Sequence, residues 1–162
     1  MAMTVGIVSA MRGFHDIILK GVPILLQKNE TAFLSFMCSM AAIDALSGYR
    51  YSTDKIGERF IAFINEYFPP AYGPNAENLY KLRCRILHNF SPAYFSLVHA
   101  RNDLHLKLSP IGDTILSDGA FFSDLKSAAL KFFNEVFNEA VRQDTMNARL
   151  ANVDKGGAIY VE

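Results

Sequence analysis

One stretch carries the residue types best suited to chemistry: Leu79-Tyr80-Lys81-Leu82-Arg83-Cys84-Arg85-Ile86-Leu87-His88-Asn89-Phe90. On a helical wheel, at about 100° per residue, Leu79, Leu82, Ile86 and Phe90 form an apolar arc flanked by Leu87. Lys81, Arg85 and His88 gather on the opposite side, where they could meet phosphates. Arg83 falls inside the apolar arc, between Leu79 and Leu87. A charge there is costly unless it is paired or faces another chain. Two readings of Arg83 stand side by side. In one it pairs with Asp44, the single charge on an otherwise apolar helix. In the other it reaches a phosphate while His88 acts nearby as acid or base, since a guanidinium fork suits both partners. The two coexist if Asp44 orients Arg83 toward a site.

That chemistry would be phosphodiester cleavage without a metal. RNA brings its own nucleophile, the 2′-hydroxyl; a histidine moves protons near neutral pH, and an arginine stabilises charge growing on phosphorus. Residues five apart on a helix point about 140° away from each other. Arg83 and His88 therefore meet at one phosphate only if the helix end distorts near Ser91-Pro92 or a second copy completes the site.

The other candidates are weaker. His99 and His105 flank Arg101-Asn102-Asp103. With a three-residue turn they face each other across two strands, but two imidazoles do not make a zinc site, which needs three or four ligands. No metal and no cofactor is expected. His15 beside Asp16 reads as a solvated or capping pair. Gly119 and Gly156-Gly157 lack phosphate-loop spacing, and no Gly-x-Ser-x-Gly elbow is present.

The elements that must position these residues are mostly helical. Apolar spacing predicts helices over Ala10–Lys20, Thr31–Ser47 with Gly48 as a stop, Ser52 or Thr53 to Phe68, Asn75–Asn89, and about Phe121 to Val141. Leu104, Leu106 and Leu108 alternate with His105, Lys107 and Ser109. That period of two predicts a hairpin with Tyr94–Ala100, its leucines inward and His105 and Lys107 outward. The tail 142–162 is weakly patterned, and Gly156-Gly157 should fray. The expectation is one domain over 1–162: an all-α bundle of about five helices with a small β-hairpin insertion.

The Arg83-Cys84-Arg85-Ile86-Leu87-His88 run and the order of helices around it resemble the HEPN superfamily, whose motif is an Arg and a His with four to six residues between them. The resemblance implies a small helical bundle that pairs as a dimer. In the toxin and defence branches, motif Arg and His from two subunits line a cleft and cut RNA without metal. The resemblance carries those roles to Arg83 and His88 only; Lys81 and Arg85 as phosphate contacts and Asp44 as the orienting or ion-pairing acid are read from the helix faces themselves. The catalytic branches usually carry a polar residue after the Arg, and here it is Cys84. Relatives without the nuclease pattern serve as interaction or nucleotide-binding modules, so a non-enzyme is the alternative. The implied partners are a second copy, RNA, and an antitoxin or other protein.

Composition narrows the classes. The 162 residues are 51% hydrophobic with 16 basic against 16 acidic side chains. That excludes a disordered chain and a broadly basic nucleic-acid coat, and leaves little charge to hold copies apart. Cys38 and Cys84 form no Cys-x-x-Cys pair and read as reduced thiols. No positive flank precedes the apolar N-terminus, and the tract Thr31–Leu46 contains Asp44 and falls short of about 20 membrane-spanning residues. A cytoplasmic protein without membrane contact is expected.

Overall fold

The computed structural model describes residues 3–153. It is an all-α bundle with one small sheet. The helices are α1 (Val5–Phe14), α2 (Gly21–Leu25), α3 (Ala32–Arg50), α4 (Ile56–Tyr67), α5 (Ala76–Asn89), α6 (Asp118–Asn138) and α7 (Ala140–Val153). A π-helical turn, His15–Leu19, links α1 to α2. Thr4 caps α1 through its hydroxyl, which accepts from Ile7 N, so the first helix starts earlier than its apolar spacing predicts.

α3 is the centre of the bundle. It packs on α2, α4, α5, α6 and α7, and Phe36, Met40, Ile43 and Leu46 are fully buried. With the 3₁₀ turn before it, this helix runs 22 residues, Asn29–Arg50, long and apolar enough by length and composition to cross a membrane. The expectation that the tract is too short is therefore corrected. More than half of its most apolar window is buried inside the bundle, as the core helix of a packed domain would be. Gly48 does not stop it; α3 continues to Arg50.

α4 lays Phe60, Phe63, Ile64 and Tyr67 on the core, and Pro69-Pro70 ends it. α5 follows a 3₁₀ turn and buries Leu79, Leu82 and Ile86. Phe90 closes it with a left-handed backbone, φ 52°, which turns that side chain outward to 68% exposure. The expected apolar arc therefore ends at Ile86. The long last helix breaks at Glu139, and α7 continues through the segment expected to be weakly patterned, burying Met146. Gly156-Gly157 lie outside the described residues.

The hairpin is not where the period of two places it. β1 (Phe95–Val98) pairs in parallel with β2 (Thr114–Ser117), Phe95 opposite Thr114. The expected turn, Arg101-Asn102-Asp103, instead leads into a 3₁₀ turn at Asn102–Leu104. Its polar groups are drawn to the start of α6. Asn102 Oδ1 accepts from Ala120 N at 3.1 Å and from Ser117 Oγ at 2.7 Å, and Asp118 accepts from Ala100 N at 3.0 Å. Leu106 then adopts φ 62°, which breaks the alternation of faces. Leu104 and Leu106 are half-buried, Leu108 is exposed, and the His105 side chain turns inward to 9% exposure. The leucine segment pairs forward: Leu106 N donates to Ile115 O and Ile115 N to Lys107 O, each at 2.8 Å, with an antiparallel bridge between Leu108 and Thr114.

Candidate functional site

Arg83 lies on the buried side of α5 with its side chain 15% exposed. Its Nη2 donates to Asp44 Oδ2 on α3 at 2.5 Å. Burial pulls the guanidinium toward neutrality, but the hydrogen bond and charge of Asp44 outweigh it and hold Arg83 above its ordinary value. A second cation shares this acid. Arg59 of α4 is 7% exposed, with Nη2 3.8 Å from Asp44 Oδ1. That is an ion-pair distance and too long for a hydrogen bond. Among the described residues Arg59 Nε, Arg59 Nη1, Arg83 Nε and Asp44 Oδ1 are buried without a hydrogen-bond partner. The core thus carries an Arg–Asp–Arg cluster with one more positive charge than negative.

Sequence reasoning missed Arg59. The signal was available, because Arg59 sits beside Phe63 at the edge of the apolar face of α4, the same misfit that marks Arg83 on α5.

The exposed side of α5 is different in kind. Lys81, Arg85 and His88 are solvent-exposed and, among the described residues, pair with no carboxylate. Lys81 Nζ lies 5.4 Å over the Tyr94 ring, and Tyr94 is 49% exposed. Tyr94 therefore lies beside Lys81, about two turns before His88, which Phe90 follows at the C-terminal end of α5. His88 lies in the last turn, where a cation is favoured by the helix dipole. Arg83 faces inward and His88 outward, so one chain does not bring them together.

His99 and His105 are not a cross-strand pair. His99 Nδ1 donates to Asp118 Oδ2 at 2.6 Å. His105 Nδ1 accepts from Ser117 N at 3.0 Å, which leaves the proton on Nε2 to face the Tyr72 hydroxyl at 2.7 Å. Tyr72, fully buried, donates onward to Asp124 Oδ2 at 2.7 Å. Burial first, then the Asp124 hydrogen bond, push the Tyr72 phenol far up, so it stays protonated. These two sets fasten the β1–β2 region to α6 and to the turn before α5. Tyr72, Asp118 and Asp124 escaped the sequence reading because their partners lie far away along the chain. Among the described residues no three His, Cys, Asp or Glu side chains gather as metal ligands.

Fold and site together define a helical-bundle protein with a buried Arg–Asp–Arg cluster behind an exposed basic helix face. Comparison with family models, with curated proteins and with solved structures gave no match.

Proposed function

We propose that this chain is an HEPN-like RNA-binding protein that contacts single-stranded RNA through the exposed face of α5. The supporting observation is the grouping there of Lys81, Arg85 and His88, free of acidic partners among the described residues, beside the exposed rings of Phe90 and Tyr94. Cations along a strand neutralise phosphates, and exposed rings stack on bases whatever their sequence. Metal-independent cleavage is the further step of this reading. It requires a homodimer in which His88 of one copy moves the proton and an arginine of the other stabilises the phosphorane. A second reading is a non-catalytic interaction or nucleotide-binding module. The Arg83–Asp44 contact favours it, because that guanidinium is already committed.

Fluorescence anisotropy with a labelled single-stranded RNA, titrated across salt, tests binding. Each phosphate contact contributes a slope of about 0.7 in log K against log salt. Lys81→Ala with Arg85→Ala should flatten the slope by roughly twice that. An unchanged slope, or no binding by the wild type, would remove RNA from the reading. Incubation with RNA in a chelator tests cleavage. Activity lost in His88→Ala supports the nuclease step, and activity equal in that variant and the wild type would sink it.

A further inference from the structure

We propose that the cleft between β1 and the start of α3 binds a single-ring nucleobase that presents a ring N–H, as uracil does, in a free nucleoside or in a strand. This rests on the reading of α5 as an RNA face and adds a base site to it. The cleft encloses about 190 Å³. An apolar cavity of about 150 Å³ holds one benzene ring, so the space suits one six-membered ring and not the fused pair of a purine. Phe33 and Phe36 of α3 and Val98 of β1 give it apolar walls, and Asn29 and His99 are the polar residues among them.

His99 makes the cleft selective. Its Nδ1 is held by Asp118 Oδ2 at 2.6 Å. Asp118 is itself fixed: its side chain is 1% exposed, and Oδ1 accepts from Ala100 N at 3.0 Å and from Gly119 N at 2.7 Å. A carboxylate so anchored orients the ring and draws the imidazole proton to Nδ1, which leaves a bare lone pair on Nε2. That atom has no hydrogen-bond partner among the described residues and is not enclosed by protein, the His99 side chain being 21% exposed. With Nδ1 turned to Asp118, the Nε2 edge of the ring is the one left for the cleft. His105 is the contrast, since both of its nitrogens are engaged inside the fold.

A ligand that meets this acceptor must donate a hydrogen bond. Uracil does so through its ring imide N–H, which lies between two carbonyls, and the Asn29 side chain carries the amide N–H that one of those carbonyls needs. Splayed bases of single strands are read in this way, packed on aromatic rings and bonded along their pairing edge. The cleft is also placed for a strand that crosses α5. Lys81 lies over the Tyr94 ring, and from Tyr94 the chain enters β1, whose four residues run roughly 13 Å to His99.

The experiment is heteronuclear NMR of the whole chain titrated with uridine, 3-methyluridine or adenosine at about pH 8, which favours a neutral imidazole. Uridine should move the His99 Nε2 resonance together with the amides of Val98 and Ala100. 3-Methyluridine lacks the ring N–H and should bind roughly tenfold more weakly, the effect of leaving an acceptor unpaired. Adenosine, too large for the cleft, should leave His99 unmoved. Ala32 also lines the cleft, so Ala32→Phe should fill it and abolish the uridine response while leaving the Asp118 contact in place. Should that variant not fold, the nucleosides decide alone. Equal responses to uridine and 3-methyluridine, or a uridine response that spares His99, would overturn the proposal. Fluorescence anisotropy with oligouridylate and oligoadenylate separates the sources and the two readings. Tighter oligouridylate binding that needs Lys81 and Arg85 assigns the site to a strand. A His99 response to uridine without RNA binding assigns it to the free nucleoside and removes the RNA face alone. RNA binding with no uridine response at His99 keeps that face and removes the cleft.

Discussion

Removing the Asp44 carboxylate leaves both Arg83 and Arg59 without their shared counter-charge, whereas removing Arg83 leaves Asp44 with Arg59 still 3.8 Å away. The two ends of this ion pair are therefore unequal. Asp44→Ala should cost about 3–5 kcal/mol, the cost of stranding buried charge. Arg83→Gln should cost less, about 1–3 kcal/mol. Urea denaturation of both variants checks the order, and equal losses would mean that Arg59 draws nothing from Asp44. The contact between Asp44 and Arg83 was legible in the sequence because each charge interrupts an apolar helix face. What the contact does is not legible there, since the same fork serves a carboxylate and a phosphate.

Packing between elements turns on two glycines with opposite requirements. A methyl group on Gly57 of α4 would come within 2.9 Å of Tyr80 Cε1 on α5, closer than carbon atoms approach. Gly57→Ala should therefore push α4 from α5 and destabilise by about 1–3 kcal/mol. On Gly48 the nearest atom would be at 3.7 Å, an ordinary contact, and the residue lies inside α3. Gly48→Ala should stabilise by about 0.5–1 kcal/mol through helix propensity. Thermal melts of the pair give the signs, and a common sign would contradict this account. Helices were readable from apolar spacing because each is a local pattern. The hairpin was misread because side chains outside the period tie the segment to the start of α6, where Ala120 N donates to Asn102 and Asp118 accepts from Ala100 N, and bend it away from its expected partner.

Over the whole molecule, a polar seam joins four helices. Arg50 at the end of α3 donates to Glu66 at 2.7 Å and to the Tyr67 hydroxyl at 2.8 Å. Tyr51 donates to Glu66 and Tyr67 to Glu135 of α6, each at 2.5 Å, while Arg142 of α7 lies 3.6 Å from Glu135. Burial raises the Glu66 carboxyl, but the Tyr51 and Arg50 hydrogen bonds outweigh it and hold the group below its ordinary 4.5. Because the folded value is depressed, its stabilisation is complete above pH 4.5 and fades as pH falls through the folded value. Thermal midpoints of wild type and Glu66→Gln should therefore converge on acidification below that point. A constant gap would show that the seam does not titrate. The proposed dimer belongs to the same scale. An interface that serves the nuclease step must border α5 and bury about 1,200 Å² or more. An apolar groove lies elsewhere, between α3 and the end of α1 with its π-helical turn, lined by Phe14, Ile17, Ala41 and Ala45. Light scattering across dilution gives the oligomer, and cross-linking gives its face. A monomer, or a dimer joined at the α1–α3 groove, would leave the non-catalytic reading ahead.

Phe90, Tyr94, Ala100 and Leu106 all hold a left-handed backbone, and all four lie between the end of α5 and β2. None is glycine, and a left-handed L-residue costs about 1–2 kcal/mol. A connection loaded this way is the natural place for the native state to open first. Amide hydrogen exchange should register this as rapid exchange at His88–Phe90 and slow exchange at Leu82–Arg83, which the core holds. Uniform protection along α5 would contradict it. The two residues of the Arg83–His88 motif then differ in persistence as well as direction: one belongs to the frame, and the other to a hinge that a bound strand could order.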